Sequence, residues 1–293
     1  MLLELVMRVI TKEDVTTISK NIVIPARPAI LEQLHTLTLK ADVDPTELVS
    51  IIGQDMGLAA SVLKTCNSPL FRTNAMLSSI SQAVARLGQK NIRQLATGFI
   101  LRQSTMQNAA KSLLGPLGEF WDWSNRVAMI SALIAQQIGG GHPEELYCFT
   151  LFRDCGIPVM LLRFKSYGRT LELAHKGSDY QFLKIEEELH ACNHATVGYL
   201  VAKAWLLPDE LCNAILQHHE EDVHNPKDNH DDGNIANLIS ISRMAEHIEA
   251  SLHHRADPGW ELGRGEVILA HLGLTLEEFE DLRDGIHLRF QAE

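Results

Sequence analysis

The sequence has no long apolar run, no cysteine pair at a metal or redox spacing, no strand-like alternation bounded by hairpin turns, and no strong cluster of basic residues. Each absence excludes a class. A membrane-spanning helix needs roughly 18 consecutive apolar residues. The N-terminal stretch MLLELVMRVI is interrupted by Glu4 and Arg8, too short and too charged for a signal segment or a span. No membrane partner is therefore expected. The five cysteines, Cys66, Cys148, Cys155, Cys192 and Cys212, are odd in number and form neither a CxxC pair nor a zinc-ribbon pattern. Four lie in apolar helical runs and read as buried free thiols of a reducing, cytoplasmic compartment. The formal net charge is −11. Binding along nucleic-acid phosphates needs clustered Lys and Arg. The longest basic cluster is Arg86, Lys90 and Arg93, so nucleic acid is not an expected partner. Gly139-Gly140-Gly141 follows no strand and is not a phosphate cradle. There is no P-loop, no GxSxG, and no spacing that singles out a nucleophile and its base.

What the sequence does have is helical periodicity. Its 293 residues, 45% of them hydrophobic, suffice for two packed units or one core with a helical extension. After Pro28, apolar residues fall at Ile30, Leu31, Leu34 and Leu37. Asp44-Pro45-Thr46-Glu47 is a helix start, with Leu48, Ile51 and Ile52 as its apolar stripe and Gly53 as its stop. Asp55 starts the next helix, with apolar residues Met56, Ala59, Ala60, Val62 and Leu63, ending at Asn67-Ser68-Pro69. Ser79 is a further cap, and Gly88 a stop after Ile80, Ala83, Val84 and Leu87. Later helices are expected over about 117–138, 182–189, 193–205, 208–219 and 235–252. A last helix follows Thr275-Leu276-Glu277-Glu278, a capping box. The polar stretch 220–233 reads as a mobile loop. The expected fold is all-α, a multi-helix bundle.

Several segments, in order, resemble the HDOD family, a relative of the HD phosphohydrolases. They are Ile24-Pro25-Ala26-Arg27-Pro28-Ala29, Ile51-Ile52-Gly53-Gln54-Asp55-Met56-Gly57-Leu58-Ala59, Leu63-Lys64-Thr65-Cys66-Asn67-Ser68-Pro69-Leu70-Phe71, Ser79-Ile80-Ser81-Gln82-Ala83-Val84 and Leu87-Gly88. Residues from about 120 to 220 resemble the family's HD-like helices. The resemblance implies an N-terminal helical part over 1–110, an HD-like part over 111–222 and a helical extension over 223–293. It also implies a bacterial regulatory protein that works through signalling partners or a nucleotide-type ligand.

HD hydrolases gather His and Asp ligands around one or two metals that activate water against a phosphate ester. Against that pattern this chain has lost ligands. Trp123 stands where the resemblance puts the first His, and an indole nitrogen only donates. Arg153 stands for the His of the His-Asp pair, and a guanidinium stays protonated. Ser242 aligns with the late Asp. Asp154, His194, His218 and His219 survive. Each survivor has a plainer role open to it: Asp154 as a buried acceptor, His194 as a cap or lining residue, His218 and His219 as cations at a helix end. Since adjacent side chains diverge, at most one of His218 and His219 is expected inward, and Arg153 is not expected to meet Asp154. A broader idea is that Arg153 replaces the charge of a lost metal. Trp121 reads as core and Trp123 as a plug in the old cavity, with a stacking wall for a nucleotide as the alternative. His224, His230, His253 and His254 read as solvated. The expectation is a vestigial site with no catalytic residue, no metal and no cofactor. The alternatives are a divalent-metal phosphohydrolase using Asp154, His194, His218 and His219, and a structural adaptor with no ligand.

Overall fold

The computed structural model describes residue 22 and residues 28–38, 44–68, 76–175, 179–220 and 230–291. Parts of the expectations above lie outside these residues: the N-terminal stretch, Ile24 to Arg27, Pro69 to Phe71, His224, the side chain of His230, and most of the polar stretch after Glu220. Among the described residues there is helix and no strand.

The N-terminal helices start where their caps predict. Helix α1 (Ala29–Thr38) buries Leu31, Leu34 and Leu37, and Ile30 is only half-buried. Before α2 (Pro45–Gly53), Asp44 accepts the Thr46 N–H at 2.8 Å, and Leu48 and Ile52 face inward. Asp55 does the same for α3 (Met56–Cys66), taking the Leu58 N–H at 2.9 Å. Here the expected apolar stretch is corrected. The buried stripe is Leu58, Val62 and Cys66, and Met56 is 86% exposed. A cap fixes where a helix begins, but a first-turn apolar residue can still lie on its outer side. Past α3, the Asn67 amide donates to Leu77 O (2.8 Å) and accepts from Leu77 N (2.7 Å). One side chain thus pins the chain on either side of residues 69–75.

Ser79 caps α4 (Ile80–Gln107). Gly88 has φ 79° and ψ 161°, a conformation that favours glycine, and it kinks α4 into two helical pieces. A 3₁₀ turn (Lys111–Leu113) leads into α5 (Leu114–Ile138), which stops at left-handed Gly139. Helices α6 (Pro143–Arg153), α7 (Gly156–Arg163), α8 (Tyr167–Ala174) and α9 (Asp179–His190) follow. Asn193 caps α10 (His194–Ala204), and α11 (Asp209–Gln217) comes next. Helix α12 (His230–Leu252) begins earlier than the polar sequence suggested, so 230–233 are helical rather than loop. A short π turn (Trp260–Arg264), α13 (Gly265–Leu272) and α14 (Leu276–Gln291) close the chain. The capping box before α14 is formed: Thr275 N donates to Glu278, and Glu278 N to Thr275.

Helices α5 and α6 form the central antiparallel pair. Helix α12 lies against both, α10 packs on α7, and α11 packs on α10, α6 and α12. The site is built where α6, α10, α11 and α12 meet.

Candidate metal centre

Asp154 follows the last residue of α6, at φ −100° and ψ 21°. One residue separates it from Gly156, the start of α7. A Cβ at Gly156 would lie 2.0 Å from the His194 carbonyl oxygen and 2.8 Å from Gly198 N. Only hydrogen fits, so the α6–α7 corner rests directly on the first turn of α10. Cys155 Sγ makes a further contact there, 3.6 Å from Gly198 O. This close approach brings Asp154 beside His194. His218 is the C-cap of α11, and His219 follows in the turn that leaves the helix.

Four ligand atoms converge. His194 Nε2 lies 3.3 Å from His218 Nε2 and 3.0 Å from His219 Nε2. Asp154 Oδ1 lies 3.1 Å from His218 Nε2 and 3.5 Å from His194 Nε2. All four residues are buried, and their ligand atoms lie within 4.8 Å of one another. A tetrahedral ion with nitrogen and oxygen ligands at about 2.0–2.2 Å sets its ligands about 3.4 Å apart. The donor spacing and chemistry therefore fit a single such ion.

The outer ring nitrogens fix what the inner ones offer. His194 Nδ1 faces Glu186 Oε2 at 2.7 Å, and His218 Nδ1 faces the Ile215 carbonyl at 2.6 Å. The carbonyl can only accept, and so can ionised Glu186, so both Nδ1 atoms carry hydrogen. In the neutral rings of His194 and His218 the Nε2 lone pairs then point at each other and at a carboxylate oxygen. That arrangement repels unless a cation, a proton or a metal, sits among them. Burial alone would lower His194, but the Glu186 carboxylate, aided by Asp154, lifts it to about 9. Burial and the neighbouring imidazole push His218 down to about 3, and burial with the His194 charge does the same to His219. One proton is thus held on His194 while the other two rings stay neutral.

The second oxygen of Asp154 faces the other way. Arg153 Nε and Nη2 donate to Asp154 Oδ2 at 3.0 and 2.6 Å. Arg153 Nη1 reaches Ser242 Oγ (2.9 Å) and Glu246 Oε2 (3.2 Å) on α12. Burial would raise the Asp154 carboxyl; the guanidinium, with hydrogen bonds from His194 and His218, holds it well below the carboxylate range. Arg243 pairs with Glu246 at 2.6 Å, and its Nη2 lies 3.5 Å from His219 Nδ1.

The structure thus joins Arg153, Asp154, His194, His218, His219 and Ser242 in one place. Two expectations are corrected. His218 and His219 are both inward, because the chain leaves the helix between them and their rings lie 4.3 Å apart. Arg153 and Asp154 do meet, because Asp154 lies past the end of α6. Asp154 is partnered by the side chains of Arg153, His218 and His194, and Asn193, not His194, caps α10. The Trp123 N–H donates to Glu249 Oε2 at 3.0 Å, on α12, rather than to any member of the Asp154 cluster. Trp121 is core, bonded to Thr105 Oγ1. His253 is half-exposed beside Glu249, and His254 is exposed. Sequence reasoning missed Glu186, Tyr167, Arg243 and Glu246. Glu186 sits in a Glu186-Glu187-Glu188 run that resembles a solvated face. Its signal was spacing, since it lies four residues after buried Phe182 and four before buried His190.

The family model of the HDOD domain matches residues 24–221. The chain belongs to the HDOD family. An uncharacterized protein of Treponema pallidum (strain Nichols) is 23% identical over 201 residues, 67% of this chain. The match spans only 37% of that relative's length. Among solved structures, an HDOD domain protein of unknown function from Geobacter sulfurreducens aligns with a TM-score of 0.66 at 23% identity, over 94% of this chain and 93% of that one. A candidate phosphohydrolase from Shewanella amazonensis SB2B aligns with a TM-score of 0.66 at 20% identity, over 92% and 91%. These likenesses establish the HDOD fold. The family match ends at residue 221, yet α12 of this HDOD chain supplies Ser242, Arg243 and Glu246 to the centre. No helix of the described residues is long and apolar enough to cross a membrane.

Proposed function

We propose that this HDOD chain is a non-enzymatic regulatory module of the bacterial cytoplasm that holds one divalent transition-metal ion as a structural cross-link. It works through contacts with signalling proteins or through a small nucleotide-type ligand. The observation that carries this reading is the closure of four buried donors, Asp154 Oδ1 and the Nε2 atoms of His194, His218 and His219, on one point. Three imidazoles and one carboxylate suit zinc or a similar ion. Bound there, the ion would supply two positive charges and tie α6, α10 and α11 together. The sequence leads to an expectation of no metal; what supports a metal is that the lost positions Trp123, Arg153 and Ser242 do not include these four donors.

The same closure argues against turnover. A hydrolytic site needs protein ligands plus an open position for water and substrate. Here four protein donors would fill the coordination of a tetrahedral ion, and the ground beside them is taken by the Arg153 guanidinium, 2% exposed and committed to Asp154, Ser242 and Glu246. The phosphohydrolase reading, using Asp154, His194, His218 and His219, is favoured by the same donor cluster and is kept as the competing outcome.

The test is metal analysis of protein purified without a tag, paired with turnover of a chromogenic phosphodiester. We expect about one divalent ion per chain, a lower melting temperature after chelation, and no hydrolysis above that of an Asp154→Asn variant. Chelator-sensitive hydrolysis would make it an enzyme. A chain that takes up no metal under any loading would return the site to a vestige.

A further inference from the structure

Behind His194, away from the other three donors, stand two buried side chains that the metal reading does not use. Glu186, on α9, has a side chain with no solvent exposure. Its Oε2 accepts both His194 Nδ1 (2.7 Å) and the His194 backbone N–H (3.0 Å). Its Oε1 accepts the hydroxyl of Tyr167, itself fully buried at the start of α8. Asn193, the α10 cap, donates to the next residue, Glu187, at 2.6 Å. The last turns of α9 therefore grip the first turn of α10 at three points. Among the described residues the cationic partner of Glu186 is His194.

A carboxylate without solvent costs several kcal/mol unless it is paired and hydrogen-bonded. Glu186 meets that condition only by facing His194. Fixing hydrogen on Nδ1 leaves Nε2 with a lone pair aimed at Asp154 Oδ1, His218 and His219. Gripping the backbone N–H of the same residue sets the ring's position as well as its tautomer. Tyr167 then removes the remaining freedom of the Glu186 carboxylate. Such outer partners orient metal-ligating histidines and raise their basicity.

We infer that Glu186, held by Tyr167, is the positioning residue that makes His194 a metal ligand, forming a Tyr167–Glu186–His194 relay behind the four-donor centre. This rests on the metal reading above. The inference adds two helices, α8 and α9, to the elements whose order depends on the centre.

The test is zinc affinity of the full chain, measured by competition with a chromophoric chelator, for the wild type, Glu186→Gln and Tyr167→Phe. Glu186→Gln keeps an acceptor for Nδ1 but removes the charge, and its affinity should fall on the order of 10–100-fold. Tyr167→Phe leaves the His194 bond intact and should lose less, a few-fold. The second readout is proton NMR of the zinc-loaded protein. The His194 Nδ1–H should be downfield and slow to exchange in the wild type, and should move upfield in Glu186→Gln. A purely structural role would leave that resonance unmoved. Zinc affinity of Glu186→Gln within threefold of wild type, with the resonance unchanged, overturns the inference and leaves the metal reading standing. Absence of zinc binding by the wild type overturns the metal reading and the inference with it. If Glu186→Gln does not fold, Tyr167→Phe decides: affinity equal to wild type overturns the relay, and a few-fold loss supports it.

Discussion

Replacing Arg153 by Met keeps most of the buried chain and deletes the guanidinium. In the native structure that group is 2% exposed and makes two bonds to Asp154 Oδ2, one to Ser242 Oγ and one ion pair with Glu246. Its removal leaves the Asp154 carboxylate with one oxygen facing an apolar thioether. It also leaves Glu246 with Arg243 as its close cation. Breaking a buried pair by deleting one partner typically costs about 3–5 kcal/mol. Glu246 is 26% exposed and keeps Arg243, so the lower end applies and about 3 kcal/mol is expected. At about 2–4 °C per kcal/mol for domains near this size, the melting temperature should fall by roughly 6–12 °C. Circular dichroism melts at neutral pH, with and without chelator, measure it. Adding Glu246→Gln to the Met variant removes the second stranded carboxylate and should recover part of the loss. Arg153→Lys should fall between, because an ammonium cannot make the forked contact with Asp154. A change below about 1 kcal/mol in Arg153→Met would refute the claim that this guanidinium neutralises a buried carboxylate pair.

Two further outcomes follow. In chelated protein, His194 is held at about 9 against an unfolded value of about 6.5, so its contribution is complete below pH 6.5 and lost as pH rises toward 9. His218 and His219, held near 3, act in reverse: the unfolded chain takes up protons that the fold refuses, so stability is lost as pH falls from about 6.5 toward 3. Melting temperature should therefore peak near pH 6.5 and decline on both sides, and a profile flat from 6.5 to 9 in chelated protein would contradict the His194 assignment. Gly156→Ala should cost about 3 kcal/mol or more, because its Cβ would meet the His194 carbonyl at 2.0 Å and backbone cannot step aside cheaply. Since the same contact seats Asp154 beside His194, zinc affinity should fall in parallel, and a variant with wild-type melting and wild-type zinc binding would show that the close approach does not seat the ligand.

Helix starts were the most legible feature, because Asp44, Asp55, Ser79 and Thr275 act on amides two or three residues away. The chain break at Gly88 was legible for the same reason, since a φ of 79° is a local property. Buried faces were less so: Met56 looked inward by type but lies outside. The site was legible as a set of residues and illegible as a shape. The pairing of Arg153 with Asp154, and the shared aim of His218 and His219, depend on backbone turning at helix ends. Glu186 was hidden because charge invites a surface reading, and only the spacing of Phe182, Glu186 and His190 places it on the buried face. Arg243 and Glu246 enter from α12, far along the chain, where no local pattern points to Arg153.

The two oxygens of Asp154 divide what sequence comparison treats as one degenerate site. Oδ1 belongs with the three imidazoles, and each of these four positions retains a ligand. Oδ2 belongs with Arg153, and Arg153 in turn with Ser242, so two of the replaced positions meet each other. A count of missing ligands sums across both groups and predicts a centre too poor to hold an ion. Separated by the carboxylate, two of the three losses, Arg153 and Ser242, fall on the Oδ2 side, where a tethered guanidinium supplies a fixed positive charge, and the Oδ1 side keeps four donors. A fixed charge next to Asp154 also lowers the electrostatic gain from placing a second ion there, because Oδ2 is already neutralised. Under the proposed reading, the arrangement would favour one metal over two, and with it a cross-link over a two-metal clamp on a phosphate ester.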